Sequence, residues 1–182
     1  MILLIKDLAA RQKAAQLFGH AIRRRWQVPS QEATAWVEAE FLDPRSFVFA
    51  AIRDRRLQAV ICGCPLAYVH APVEERVAVV HALGLKGDDA SCLSRILHMG
   101  GLAVGKHHEH RQLVRPLHEA AREEAARRGY THIVGQTVLP ARNRGVFNHH
   151  WIRVQHMGWQ VLKGVHSDRL VKGVPISWLV LP

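Results

Sequence analysis

Between Leu97 and Tyr130 the chain reads LHMGGLAVGKHHEHRQLVRPLHEAAREEAARRGY, and this run constrains the fold more than any other. It opens on a short apolar strand, Leu102-Ala103-Val104, continues through a basic loop from Gly105 to Arg111, and ends in an amphipathic helix. Leu113, Leu117, Ala120, Ala121 and Ala125 recur at three- and four-residue spacing, while Arg122, Glu123, Arg127 and Arg128 fall on the opposite face. Gly129 supplies the stop signal. Pro116 is tolerated if the helix starts near Gln112 or Leu113, because the N–H it lacks has no intrahelical partner in the first turn. A strand feeding such a helix buries the apolar stripe against a sheet, which makes this an α/β chain. The same arrangement leaves main-chain amides, backed by the helix dipole, at the loop–helix junction. That is an anion site suited to a pyrophosphate.

The chain is 182 residues long and 48% hydrophobic, enough for one substantial core, so residues 1–182 are expected to form a single domain. No apolar run approaches the ~20 residues that span a bilayer, and MILLIKDL is too short for a signal-peptide core followed by a cleavage site. A cytoplasmic location is therefore expected. Cys62, Cys64 and Cys92 are odd in number and lack CxxC spacing, so they read as reduced thiols. Lys and Arg outnumber Asp and Glu by 25 to 15, a formal net charge of +10, with thirteen histidines besides. Such a surface favours polyanionic partners: nucleic acid, a nucleotide-bearing cofactor or an acidic carrier protein. Charge alone does not choose among them.

The remaining elements follow from periodicity and punctuation. Met1 to Ile5 reads as a buried first strand and Ala9 to Trp26 as a helix ending in Arg23-Arg24-Arg25. Ser30 is placed to cap a second helix through about Leu42, carried by Ala33, Val37 and Phe41 and closed by Asp43-Pro44. Ser46 to Ile52 and Leu57 to Tyr68 form a hairpin about the polar turn Arg53 to Arg56, with Gly63 marking a bulge. Val77 to Leu83 reads as another strand, and Lys86 to Asp89 as a loop. After Gly129 come a strand at Thr131 to Val138, a helix from about Ala141 to Met157, and a terminal strand pair at Gln160 to His166 and Lys172 to Leu181. The order is β-αα-βββ-α-β-α-ββ.

This succession resembles the GNAT acyltransferase superfamily over most of the chain. The resemblance rests on Leu102-Ala103-Val104, the loop and helix start that follow, and a later helix ending in Asn148 and Gly158-Trp159. It implies a central mixed, mostly antiparallel sheet flanked by helices on both faces. It also implies an acyl-coenzyme A pyrophosphate held at the loop and helix start, with the pantetheine arm admitted where the strand splays from its neighbour. Backbone groups of Leu102 and Val104, and the segment carrying Lys106, Arg111, Gln112, Leu113, Val114 and Arg115, would contact the donor. Glu109, Gln112 and Val114 stand where the family's loop is glycine-bearing, and Val154 stands where a proton-donating tyrosine is common. The closing segment GWQVLKGVHSDRLVKGVPISWLVL is similar to that of the acyl-homoserine-lactone and long-chain N-acyl amino acid synthases, whose donors ride on an acyl carrier protein.

Acylation of an amine needs a base for the ammonium proton and a polarised thioester carbonyl. His98, six residues before Val104, lies close to where the family often carries its acid on the fourth strand, and an imidazole is a competent base. The alternative is a core histidine held by hydrogen bonds. His150 is the candidate acid where the family tyrosine is missing. His107-His108-Glu109-His110 has no completing ligands at metal-site spacing, so no metal is expected; these side chains either donate to phosphates or form a solvated loop. Three readings follow. The first is an acyltransferase moving an acetyl or longer group from an acetyl-CoA or other acyl-CoA thioester to an unspecified primary amine. The second uses an acyl carrier protein as donor. The third is a non-catalytic module of this fold that binds nucleic acid or an acidic protein; no RNA motif or zinc finger favours it.

Overall fold

The structure is a computed structural model, and it describes residues 1–26, 29–104, 112–138, 156–171 and 174–182. Strand β1 (Ile2–Ile5) leads into α1 (Leu8–Trp26), whose first turn is capped by Asp7, with Oδ2 accepting from Ala10 N–H at 2.8 Å. Helix α2 (Ser30–Val37) runs directly into a π-helical turn, Glu38–Leu42. Strands β2 (Phe47–Arg53) and β3 (Arg56–Pro65) form a hairpin whose turn residues, Asp54 and Arg55, both adopt positive φ, at 50° and 57°. A 3-10 turn at Leu66–Tyr68 precedes α3 (Val73–Ala82) and α4 (Asp89–Arg95). The rest comprises β4 (Ile96–Met99), β5 (Ala103–Val104), α5 (Val114–Arg127), β6 (His132–Val138), β7 (Gln160–Val161), β8 (Leu170–Val171) and β9 (Val174–Leu181).

The sheet order is β1-β2-β3-β4-β6-β9-β7, with β5 paired to β3 and β8 to β9. Every pairing is antiparallel except β4 with β6. Helices cover both faces because the strands alternate. Val48, Ala50, Val60 and Cys62 pack with Ala14, Phe18, Trp36 and Phe41 of α1, α2 and the π turn. Their neighbours Phe47, Ala51, Ala59 and Ile61 pack with Leu117, Ala121 and Ala125 of α5. A third cluster, with Val79, Val80, Leu93, Ile96, Val134 and Trp178, sits under α3 and α4. The mixed, mostly antiparallel sheet with helices on both faces is as the sequence led us to expect.

Several local expectations are corrected. Val77 to Leu83 belongs to a helix, not a strand. Pro72 occupies the N-cap position, Glu74 and Glu75 favour the positive end of the dipole, and Glu75, Val79 and Val80 form the buried side. A run of valines satisfies both periods, and packing against the third cluster decides it. Ser30 is already helical and Pro29 takes the cap position, with no side-chain cap. The segment before the informative strand holds α4, capped by Asp88, whose carboxylate accepts from Ala90 and Ser91 N–H. Gly63 is not a bulge, since the irregularity in that hairpin lies at Ala51/Ile52. A Cβ on Gly63 would come within 2.4 Å of Phe47 Cζ, so glycine serves close approach to that ring. Strand β3 stops at Pro65 rather than Tyr68. The helix expected at Ala141 to Met157 lies outside the described residues apart from 156–157.

The informative strand is longer than expected and broken. Gly63 pairs with Met99 and Cys64 with His98, whereas Val60 pairs with Ala103 and Ala59 with Val104. Between these pairs two residues of β3, Ile61 and Cys62, oppose three on the partner, Gly100 to Leu102, a one-residue bulge at Gly100-Gly101. Leu102 N–H donates to Gly100 C=O at 2.6 Å across the kink. A Cβ on Gly101 would lie 2.5 Å from Phe41 Cε2 and 2.8 Å from Cys62 Cβ, and one on Gly100 would lie 2.1 Å from His98 Cε1. Gly101→Ala is expected to cost about 1–3 kcal/mol of stability through overpacking. Urea denaturation of the variant checks this; an unchanged midpoint would contradict the close packing.

Candidate active site

The bulge redirects the strand. Strand β4 pairs in parallel with β6 at Ile96↔His132, Leu97↔Ile133 and His98↔Val134. Past that point β6 stays paired to β9 as far as Val138↔Ile176, while β5, among the described residues, pairs with β3 only. A slot thus begins at Met99, between the departing β5 and the continuing β6. Two buried polar groups on β6 beyond Val134, Gln136 Nε2 and Thr137 Oγ1, have no hydrogen-bond partner among the described residues. Buried polar atoms are rarely left unpaired in a finished core. Opposite Gly135 the Trp159 ring approaches closely, at 3.2 Å from where a Cβ would stand, and it meets His118 of α5 edge-on.

At the loop–helix end the sequence reading is partly visible. Leu102 and Val104 are half-buried and pack with Leu113 in the cluster under α5. Val114 is buried as the first residue of α5, while Gln112 and Arg115 are exposed. Among the described residues no side chain caps this helix, and its first turn holds no acid to offset the positive end of its dipole. Pro116 sits inside that first turn, as its chemistry requires. A cleft of about 310 Å³ borders the helix start, lined by Gln112 and Leu113 with Met1, Arg53 and Gln58 among others. Lys106, Arg111 and His150 lie outside the described residues, as does the His107 to His110 run. Among the described residues no group of three His, Cys, Asp or Glu side chains is disposed to hold a metal, and no described helix is long and apolar enough to cross a membrane.

His98 is 2% exposed on β4, on the sheet face opposite α5. Its ring meets Trp178 edge-on with centroids 5.8 Å apart, and among the described residues neither ring nitrogen has a hydrogen-bond partner. Nδ1 lies 3.5 Å from Oε1 of Glu40, which the π-helical turn brings over the sheet. Cys62 Sγ donates to Glu40 C=O at 2.9 Å and Cys64 Sγ to Ala39 C=O at 3.5 Å, so β3 holds that turn in place through two thiols. Burial pushes the Glu40 carboxyl up to about 8 and the His98 imidazole down to about 3, and the Arg169 guanidinium lowers both. Near neutral pH neither group is charged, so their contact is not an ion pair. Arg169 is itself bound to Glu75, with Nη2 2.8 Å from Oε2, an oxygen that also accepts from Trp178 Nε1 at 3.2 Å. Burial holds the Cys62 thiol well above its ordinary range and pushes Cys64 up to about 12, so neither is a thiolate.

Glu40 was not singled out from the sequence, although a signal existed. It follows Val37 by three residues and precedes Phe41, so it falls within the apolar stripe of its helix, where a carboxylate is unusual. The π turn then sets Glu40 and Phe41 side by side on the buried side. Gln136, Thr137 and Arg169 had no comparable signal.

The chain shares its fold with solved acetyltransferase structures. A ribosomal-protein-alanine N-acetyltransferase from Brucella melitensis superposes with a TM-score of 0.60 at 13% identity, over 99% of this chain and 98% of that one. A GNAT-family acetyltransferase from Staphylococcus aureus Mu50 gives 0.61 at 9% identity, over 100% of both chains. The aminoglycoside 6'-N-acetyltransferase of Enterococcus faecium gives 0.58 at 14% identity, over 99% of this chain and 95% of that one. No protein-family model matches the chain, and no curated protein matches it by sequence. The class defined by topology is the GNAT acetyltransferase fold, as the resemblance in sequence implied.

The buried pair sets how stability responds to pH. Folded Glu40 keeps a proton that the unfolded chain releases above 4.5, so stability is lost as pH rises from about 4.5 through about 8. Unfolded His98 gains a proton below 6.5 that the folded form refuses, so stability is lost as pH falls from about 6.5 through about 3. Between 4.5 and 6.5 the two slopes oppose each other. Urea midpoints across this range are expected to show a plateau at mildly acidic pH with falls on both sides. A midpoint still rising from pH 6.5 to 8 would contradict it.

Proposed function

We propose that this protein is an acyltransferase that moves an acyl group from a coenzyme A thioester to a primary amine by direct attack. The observation that carries the reading is the slot opened between β5 and β6 by the Gly100-Gly101 bulge, with the uncapped start of α5 at its far end. A long, narrow donor with amides along its arm and a pyrophosphate at its end fits that shape and chemistry. Unpaired strand edges and the orphaned Gln136 and Thr137 groups meet the arm, and the α5 amides with Arg115 meet the phosphates. Val104 and the segment carrying Lys106, Arg111, Gln112, Leu113 and Val114 are assigned to the same donor by resemblance.

In the reaction the amine nitrogen attacks the thioester carbonyl carbon. The C–N bond forms, the C–S bond breaks, and the sulfur leaves as a thiolate. His98 takes the proton released by the ammonium, and His150 is assigned the proton that returns to the thiolate, the latter on resemblance alone. The protonated, buried state of Cys62 and Cys64 supports direct transfer over an acyl-enzyme on a thiol. The fold relatives are named for acting on alanine of ribosomal proteins and on aminoglycosides, so both amine types serve as first acceptors to assay. The +10 charge supports an acidic acyl carrier protein as the competing donor.

Titration calorimetry is expected to show saturable binding of acetyl-CoA, weakened about tenfold in Arg115→Ala by the lost phosphate contact. His98→Ala is expected to lower kcat by about a hundredfold at saturating substrate, read as thiol release. Binding of acyl carrier protein in place of acetyl-CoA would move the donor assignment. Failure of both donors at millimolar concentration, with nucleic acid binding steeply weakened by salt, would replace the enzyme with a binding module.

A further inference from the structure

We infer that Glu40 is the positioning residue for His98: its carboxylate accepts Nδ1–H, leaving Nε2 as the lone pair that takes the acceptor's proton. This rests on the acyl-transfer reading above. It answers a difficulty within it, because an imidazole buried among apolar groups is a poor proton acceptor when it stands alone. A carboxylate on the far nitrogen fixes the tautomer and stabilises the imidazolium that forms, the general logic by which a third group orients a catalytic base. The structure supplies that geometry. Oε1 of Glu40 and Nδ1 of His98 are 3.5 Å apart, the two side chains are 7% and 3% exposed, and among the described residues neither ring nitrogen has a hydrogen-bond partner, so a small closure would seat the bond. The carboxylate is delivered by a π-helical turn, a distortion that often marks functional positions, and is tethered by the Cys62 thiol to its own carbonyl. The ring packs against Gly100, with Nε2 2.8 Å and Nδ1 2.9 Å from where a Cβ would stand, so only glycine leaves room for the imidazole beside the kink.

The groups around the pair leave it in charge of its own proton. From β3 come Cys62 and Cys64, both held protonated by burial. From α3 comes Glu75, already bonded to Trp178 and to Arg169 of the segment before β8. From α1 comes Arg11, whose guanidinium is spent on the carbonyls of Ile5, Asp43 and Ser46, and Asp43 itself is bonded to Arg45. Arg169 is the cation that acts on both members. With Glu40 protonated, its O–H donates to Nδ1 and the ring proton sits on Nε2, so the ring has no free lone pair. Loss of one proton from the pair moves the ring proton to Nδ1 and frees Nε2. In the reaction the ammonium gives its proton to Nε2, producing an imidazolium bonded to a carboxylate, while the amine's electron pair forms the C–N bond.

The test uses the full chain without ligand, labelled with 15N at the histidine rings. The expected result is a change of His98 from the Nε2–H to the Nδ1–H tautomer as pH rises, with a midpoint near 8, absent in Glu40→Gln while the other histidines titrate as before. A single tautomer of His98 from pH 6 to 10 in the unaltered protein overturns the inference, and that measurement stands even if the variant does not fold. A transition that persists in Glu40→Gln overturns it as well. In turnover with acetyl-CoA, kcat/KM is expected to rise about tenfold per pH unit up to that midpoint, with this limb lost in Glu40→Gln. Donor binding separates the two claims. Acetyl-CoA that binds and reacts with a fixed His98 tautomer removes Glu40 alone. A clear tautomer change with no donor bound removes the acyltransferase and leaves the proton-sharing pair.

Discussion

The structure turns on one kink. Two glycines, Gly100 and Gly101, let a strand shift register by one residue while Phe41, Cys62 and the His98 ring press against the positions where side chains would stand. The candidate site is arranged about it. On one side β4 pairs with β6 and carries His98 into the core; on the other β5 leaves β6 and points towards the start of α5. Had the strand run straight, the parallel ladder with β6 would continue past His98 and close the slot. The kink therefore trades pairing for a concave edge, and packing from the π turn holds it open.

On the face away from α5 the kink meets a buried polar cluster, which is costly to assemble and so informative. Glu40, His98, Glu75, Arg169 and Trp178 come from the π turn, β4, α3, the segment before β8, and β9. Glu75 and Arg169 compensate each other, with Trp178 donating to the same carboxylate. Glu40 and His98 do not; they avoid charge by holding or refusing a proton. A core that needed only stability would place apolar groups there. A pair whose environment pushes an acid up and a base down is a common mark of proton-transfer chemistry.

Much of the fold was legible in the sequence, for local reasons. The stripe Leu117, Ala121 and Ala125 with Gly129 behind it defined α5, and the hairpin about Asp54-Arg55 announced itself through flanking β-branched and aromatic runs. The failures were equally local. Val77 to Val80 satisfies the strand and helix periods alike, and only the cluster under α3 settles it. Strand β4 was hidden because Gly100-Gly101 interrupts its apolar pattern, so Leu97 and Met99 did not read as continuous with Ala103. Of the candidate site, His98 and the helix start were named from spacing and resemblance. Glu40 required the π turn, whose extra residue no periodicity reveals. Gln136 and Thr137 acquire meaning only once their strand is seen to lose a neighbour.

The Glu75 carboxylate joins parts of the molecule that lie far apart in the chain: one oxygen serves both Arg169, 94 residues on, and Trp178, 103 residues on. Replacing Glu75 strands both other side chains, and replacing either of those leaves the buried carboxylate one donor short. In descendants of this protein the three positions should therefore change in concert or not at all, a linked inheritance that a family of such sequences would display as a shared signature.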